Sequence, residues 1–288
     1  MTGEIVQVRT QDDLILSGLY SYGEKGKPLI IHIHGYSGTF YTNKFIHVIA
    51  EQLAQRGMGF LTVETRGSYE KHDLPAYGKG YSEYGGFLEL LEEAYQDIDA
   101  WISFALKQGC QNIVLQGHSL GTYKIIRYLF EGKKAGNVKK LILLCPFDKQ
   151  GIIEKASQGK WPEYLHQAKE NMAQGNGQDM IPTTWGSVPL SYQTFVSWYQ
   201  ENELNKIFDL YQPNYHSSVL AQVTLPVKLI VGDKDEILFA GDPNPAFTLE
   251  RIRSQFPHGE AQLIAGARHS FRDCEQEVAA SVTQFVNT

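Results

Sequence analysis

Apolar and polar residues follow two different rhythms along most of this chain. Between residues 28 and 145, short and nearly continuous apolar runs indicate strands that are covered on both faces. The stretches between them carry apolar residues at helical spacing, which is typical of amphipathic helices. Because strands and helices take turns, the pattern predicts βαβ crossovers and a mainly parallel sheet. The strands predicted in this part are 28–34, 60–64, 112–116 and 138–145.

The helices of the same part have recognisable ends. One begins at Thr42 or Asn43, both good N-cap residues, and ends before Gly57. A loop rich in glycine and tyrosine over 65–86 precedes a long helix that reaches about Gln108. A further helix is expected over 122–131, and the chain opens with a hairpin of strands over 4–9 and 14–20.

The alternation of strands and helices breaks near residue 146 and resumes near residue 225. The part between shows helical stretches without a strand rhythm. We therefore interpret 146–224 as a helical cap inserted into a core domain that comprises 1–145 and 225–288. The expected cap helices are 163–174, 191–201 and 204–210, and the core continues with strands over 227–231 and 261–264 and helices over 245–255 and 274–287.

The composition excludes several classes of function. The 288 residues carry a net charge of −6 and only short basic runs, so no nucleic-acid surface is expected. No apolar run is long enough to span a membrane, and the first residues lack the apolar core of a signal peptide. Three widely spaced cysteines form no disulfide framework, which favours a cytoplasmic location. His32 and His34 would share a strand face, where a metal could bind, but no carboxylate or cysteine lies near them in sequence, so a metal site there is disfavoured.

The segment Gly117-His118-Ser119-Leu120-Gly121 lies between a predicted strand and a predicted helix. A Gly-x-Ser-x-Gly motif in this context makes a sharp turn that exposes the serine hydroxyl at its apex. The flanking glycines are needed because neighbouring Cβ atoms would crowd the turn. Negative charge that develops beside the hydroxyl would meet unpaired N–H groups at the start of the helix. We therefore interpret Ser119 as a nucleophile.

A serine nucleophile needs a base, and the base needs a carboxylate that holds it in the correct tautomer. In a parallel sheet, loops at the carboxyl ends of later strands would supply both. His269 follows the last predicted strand, and Asp233 and Asp235 follow the strand before it. Asp235 is preferred because it lies further into its loop, whereas Asp233 could instead bond loop N–H groups as a turn residue.

The oxyanion of an acyl transfer needs two backbone N–H donors. One is expected from Leu120, directly after the nucleophile. The best candidate for the other is Tyr36, in the loop after the 28–34 strand, where Gly35 and Gly38 would allow the backbone to approach a substrate. The alternative is that this loop merely makes a tight turn.

Taken together, these segments resemble the α/β-hydrolase-fold serine hydrolases over nearly the whole chain. The resemblance implies an α/β fold with a mainly parallel eight-stranded sheet and helices on both faces. It also implies that the helical cap enters between the sixth and seventh core strands. The segments that carry the resemblance are 34–38, 66–67, 117–121, 232–235 and 266–269.

The resemblance also implies the residue roles. It assigns the catalytic triad to Ser119, Asp235 and His269 and the oxyanion donors to the backbone of Tyr36 and Leu120. The implied reaction is hydrolysis of a carboxylic ester through an acyl-enzyme, without a cofactor. Thioester or amide hydrolysis, C–C hydrolysis and cofactor-free haloperoxidation use the same triad and stay open. A non-catalytic ligand-binding protein of this fold is disfavoured, because a pure binder has no need of the complete set.

More narrowly, the chain is similar to cap-bearing esterases, including acylglycerol-lipase-like and feruloyl-esterase-like members. The segment 85–87 gives a weaker likeness to siderophore-ester hydrolases, and Glu64 stands where relatives often have Asp. The aromatic and fairly polar cap favours a small to medium, soluble ester with an apolar or ring-bearing group. The cap residues that either face the pocket or pack the cap are His166, Tyr192, Trp198, Tyr211 and His216.

Overall fold

The computed structural model describes residues 2–186, 188–239 and 242–288. Its strands are β1 (Glu4–Arg9), β2 (Ile15–Ser21), β3 (Leu29–Ile33), β4 (Gly59–Val63), β5 (His72–Ala76), β6 (Gly80–Tyr84), β7 (Ile113–His118), β8 (Val138–Leu144), β9 (Val227–Gly232) and β10 (Gly259–Ile264). The main sheet has eight strands in the order β1-β2-β4-β3-β7-β8-β9-β10. β1, β2 and β4 pair antiparallel, and all later neighbours pair parallel. The predicted sheet is thus confirmed.

Helices cover the sheet on both faces, as predicted. Every residue of β3, β4 and β7 is buried, which requires cover on both sides of the sheet. The helices are α1 (Lys44–Ala54), α2 (Ala94–Lys107), α3 (Leu120–Glu131), α4 (Lys149–Ser157), α5 (Trp161–Ala173), α6 (Tyr192–Tyr199), α7 (Ser218–Ala221), α8 (Pro245–Arg253) and α9 (Glu275–Asn287). Two pairs flank the sheet, α1 with α9 and α2 with α3. In the described part of the chain, none of the helices is both long and apolar enough to cross a bilayer.

The segment 65–86, predicted as a loop, contains the antiparallel pair β5 and β6. β5 includes Pro75, and β6 is mostly polar, so neither strand shows the apolar alternation that reveals a half-buried strand. The long helix expected after this segment also begins later, because a 3₁₀ turn at Leu91–Glu93 precedes α2. These differences leave the ends of the central strands, and therefore the site, where the sequence predicts them.

Between β8 and β9 the chain leaves the sheet and forms α4, α5, α6 and α7. Neither α4 nor α7 was expected. α4 buries Lys149 and Gln150 beside Ile153, so its buried face is not an apolar stripe. The helix predicted over 204–210 is only a 3₁₀ turn, Glu203–Asn205. The domain limits, with a cap at 146–224, stay a prediction.

Candidate active site

Ser119 occupies the sharp turn between β7 and α3. Its φ of 54° and ψ of −121° are a strained backbone conformation for a residue with a side chain. A Cβ on Gly121 would clash with the carbonyl oxygen of Ile33, so only glycine fits two positions after the serine. This is the geometry that exposes a nucleophile at the carboxyl end of a strand.

His269 lies after β10 and is bound to Asp235, which lies after β9. The ring Nδ1–H donates to the two carboxylate oxygens at 2.9 and 3.0 Å. The buried carboxylate also accepts from the N–H groups of Ile237 and Leu238. Burial acts to raise the pKa of Asp235, but the hydrogen bond and charge of His269 outweigh it and hold that pKa below its usual value. The ionised carboxylate therefore leaves Nε2 of the ring to accept a proton.

Asp233, the alternative acid, contacts a different group. Its Oδ1 accepts the N–H of Gly266 at 2.7 Å, so it fastens the loop that carries His269 and does not touch the ring. His118 holds the same loop from the other side, because its Nε2–H donates to the carbonyl oxygen of His269 at 2.9 Å. Burial lowers the pKa of His118 to about 3, which keeps it neutral. Sequence reasoning gave His118 no role, although it lies inside the Gly-x-Ser-x-Gly motif.

Ser119 and His269 line the same cavity. In the part of the chain that the structure describes, no hydrogen bond joins their side chains. Such bonds are often long in unliganded sites and tighten when substrate binds. Ser119 and His269 therefore share one cavity, and the contact between His269 and Asp235 is already formed.

Cys145 lies beside Asp235 and His269, a contact that the sequence does not predict. This buried residue follows β8 with a φ of 48°, and its sulfur lies within 4.8 Å of ligand atoms of Asp235 and His269. Thiol, imidazole and carboxylate together are donors that zinc accepts. The fit is poor, because Asp235 and His269 already bind each other, and burial followed by the charge of Asp235 raises the pKa of the thiol well above its usual value.

The candidate oxyanion donors also lie at this edge. A Cβ on Gly35 would lie 2.9 Å from the Cβ of Ser119 and 3.4 Å from the amide nitrogen of Leu120, so the loop after β3 passes directly beside the serine. Among the described residues, neither the N–H of Tyr36 nor that of Leu120 donates to a protein acceptor. Both donors predicted from the sequence are thus available beside Ser119.

A cavity of about 290 Å³ opens above these groups and is mostly apolar. Of the cap residues considered from sequence, Trp198 lines it. Tyr192 packs on Trp185, and His166 pairs with Glu170 at the surface. Tyr211 lines a neighbouring cavity, and His216 is exposed. The cavity walls are made by Gly35, Tyr36, Gly38, Asn43, His118, Ser119, Phe147, Lys149, Ile152, Val188, Trp198, Tyr199, Ile237 and His269.

This fold and the position of the serine turn define a protein of the α/β-hydrolase fold. The chain belongs to the family described as "Protein of unknown function (DUF1749)", whose model matches residues 19–287. No curated protein matches it.

Solved structures agree on the fold. Ferulic-acid-bound Est1E from Butyrivibrio proteoclasticus shares 20% identity at a TM-score of 0.65, with 98% of each chain covered. DcsB in complex with its substrate analogue shares 16% identity at a TM-score of 0.71, with 99% of each chain covered. A soluble variant of monoglyceride lipase from Saccharomyces cerevisiae, bound to a substrate analog, shares 16% identity at a TM-score of 0.64 over 100% of this chain and 96% of that one.

Proposed function

We propose that this protein is a serine hydrolase that cleaves a carboxylic ester through an acyl-enzyme on Ser119. The observation that carries the proposal is the pair formed by His269 and Asp235 in a cavity that Ser119 also lines. The similar structures include an esterase from Pyrococcus furiosus and the monoglyceride lipase from Saccharomyces cerevisiae, which supports ester hydrolysis as the reaction.

The groups present are sufficient for the complete cycle. The Ser119 oxygen attacks the ester carbonyl while Nε2 of His269 takes its proton, and Asp235 stabilises the imidazolium. The oxyanion accepts hydrogen bonds from the backbone N–H groups of Tyr36 and Leu120. When the intermediate collapses, the C–O bond to the alcohol breaks and His269 protonates the leaving oxygen. Water then attacks the acyl-enzyme and gives a proton to His269, the bond between the acyl carbon and the Ser119 oxygen breaks, and His269 returns the proton to that oxygen as the acid leaves.

The cavity favours an ester of modest size with an apolar acyl or alcohol group, because its volume and mostly apolar walls suit such a ligand. Trp198 adds one polar feature. Its buried indole N–H has no hydrogen-bond partner among the described residues. A buried N–H without a partner costs about 1–3 kcal/mol, so a substrate whose oxygen acceptor reaches this group would be stabilised. We therefore expect the preferred substrate to carry such an acceptor away from its scissile bond.

Three further predictions go with this function. The segment 146–224 acts as the cap that selects the substrate. The unpaired cysteines favour a cytoplasmic location. No cofactor and no nucleic acid is required.

Hydrolysis of a panel of p-nitrophenyl esters tests the proposal. The wild-type protein should release p-nitrophenol at a rate well above the background, and Ser119→Ala should lower turnover by a factor on the order of 10⁴ or more. Because Ser119 is partly accessible and alanine is smaller, the variant should keep its thermal unfolding midpoint within a few degrees. Retained turnover in a folded Ser119→Ala variant would refute the assignment.

A further inference from the structure

A chain of buried polar groups connects the helix after the nucleophile to the oxyanion loop. It begins at an ion pair in which Nζ of Lys124, in α3, lies 2.6 Å from Oε1 of Glu89. The two side chains are 0% and 1% exposed. Burying both charges carries a desolvation cost that a surface pair would avoid. The pair lies against the turn 65–68, because a Cβ on Gly67 would clash with the Glu89 carboxylate.

Thr65 connects this ion pair to His34. Nζ of Lys124 donates to the Thr65 hydroxyl at 3.3 Å, and an ammonium group can only donate. The hydroxyl is the acceptor in that contact and keeps its own proton, and Nε2 of His34 lies 3.1 Å away. The Ser68 hydroxyl lies 2.8 Å from the same nitrogen while its oxygen accepts the N–H of Thr65 at 3.1 Å. Because the N–H of Thr65, 3.3 Å from Nε2, can only donate, Nε2 is the unprotonated nitrogen of the ring.

The other nitrogen of His34 then carries the proton and holds the oxyanion loop. Nδ1 lies 2.7 Å from the carbonyl oxygen of Gly35, which also accepts the N–H of Gly38 at 3.2 Å. Burial, followed by the charge of Lys124, lowers the pKa of His34 well below its usual value and keeps the ring neutral. A peptide unit is planar and trans, so fixing the Gly35 carbonyl also fixes the Tyr36 N–H, which points the opposite way.

We propose that Thr65 is a positioning residue for the oxyanion site: backed by the Lys124–Glu89 pair, it sets the tautomer of His34 and thereby aims the Tyr36 N–H. This inference rests on the proposed hydrolase function. It assigns a role to residues outside the triad. Of these side chains only His34 adjoins the oxyanion loop, and none of them touches the reacting atoms. The network acts on the transition state, because the oxyanion forms only after Ser119 has attacked.

Thr65→Val tests the proposal, because valine keeps the shape of threonine and removes the hydroxyl. We expect kcat on a p-nitrophenyl ester to fall about tenfold at unchanged KM, less than the 10²–10³ lost with a whole oxyanion donor. Thr65→Ser restores the hydroxyl and should keep kcat within about twofold. The matched control is Thr283→Val in α9, which removes another buried hydroxyl, one that donates to the carbonyl of Ala279. This control should lower stability without changing kcat.

A second set of variants tests the path through the ion pair. The double variant Lys124→Met with Glu89→Gln removes both buried charges together, so neither is left alone. It should lower kcat as Thr65→Val does, and adding Thr65→Val to it should lower kcat no further, because both changes break one path. Multiplied effects in the triple variant would contradict a shared path.

The outcomes separate this inference from the proposed function. If the wild-type protein cleaves no ester, or Ser119→Ala cleaves it equally well, the hydrolase proposal fails. If Ser119→Ala is inactive but folded Thr65→Val keeps the wild-type kcat, or changes only KM, or matches Thr283→Val, the positioning role is overturned. Should Thr65→Val fail to fold, Ser68→Ala removes the second donor to His34 and should give the same selective loss of kcat.

Discussion

The two walls of the candidate active site are held together differently. On the core side, the acid, the base and the ring behind the oxyanion loop have fixed partners: Asp235 binds the ring of His269, and His34 binds the carbonyl of Gly35. On the side of the predicted cap, the wall is made mostly of apolar and aromatic contacts, and the indole N–H of Trp198 has no partner among the described residues. From this difference we expect the core to preorganise the chemistry and the predicted cap to select the substrate. Core substitutions should therefore lower kcat for every substrate, and cap substitutions should change preference.

Among the bonded groups of the core side, we expect the greatest loss of activity from a change to the proposed triad acid. Asp235→Asn keeps the size of the side chain but removes the charge that stabilises the imidazolium of His269, and it disturbs the tautomer. We expect kcat to fall by a factor on the order of 10³ to 10⁴ for every ester tested. Steady-state kinetics on at least three esters checks both the size of the loss and its independence of substrate.

Asp233→Asn is the matched control for that variant. It changes an aspartate two residues earlier, which binds the N–H of Gly266 and not the ring. Its kcat should stay within about tenfold of wild type, since it alters only the anchoring of a loop. If Asp233→Asn loses as much activity as Asp235→Asn, the acid has been assigned to the wrong residue.

The smaller effect concerns the cap. Trp198→Phe keeps an aromatic wall and removes the N–H. For a pair of esters that differ only by an oxygen acceptor on the acyl or alcohol group, the preference in kcat/KM for the acceptor-bearing ester should fall about tenfold, the value of one hydrogen bond. Trp185→Phe is the control, because Trp185 packs on Tyr164 inside the cap and does not line the cavity. If Trp198→Phe keeps the wild-type preference, the indole N–H does not determine substrate specificity.

The core could be predicted from the sequence because its signals are local. Apolar runs mark the strands, and the turn at Ser119 carries its own glycines. Strand order then brings the loops with Asp235 and His269 to the same edge, which is why residues far apart in the chain could be chosen correctly as neighbours. Their catalytic roles stay predictions until activity is measured.

The remaining parts of the site depend on contacts that no local pattern reveals. The sequence does not predict α4, because this helix buries Lys149. The Nζ of Lys149 donates to the backbone carbonyls of Trp198 and Asn205. Likewise, nothing in the residues around Glu89 indicates that its carboxylate meets Lys124. Periodicity assumes that buried positions are apolar, so it misses buried charges with distant partners.

Whether Ser119 is an activated nucleophile can be tested by covalent labelling of the folded protein with a fluorophosphonate, followed by mass spectrometry of its peptides. Such a probe reacts with a serine whose hydroxyl is activated by a neighbouring base. We expect one phosphonyl group per chain, located on Ser119 and absent from Ser119→Ala. A wild-type protein that stays unlabelled, or a Ser119→Ala variant that is labelled to the same extent, would contradict it.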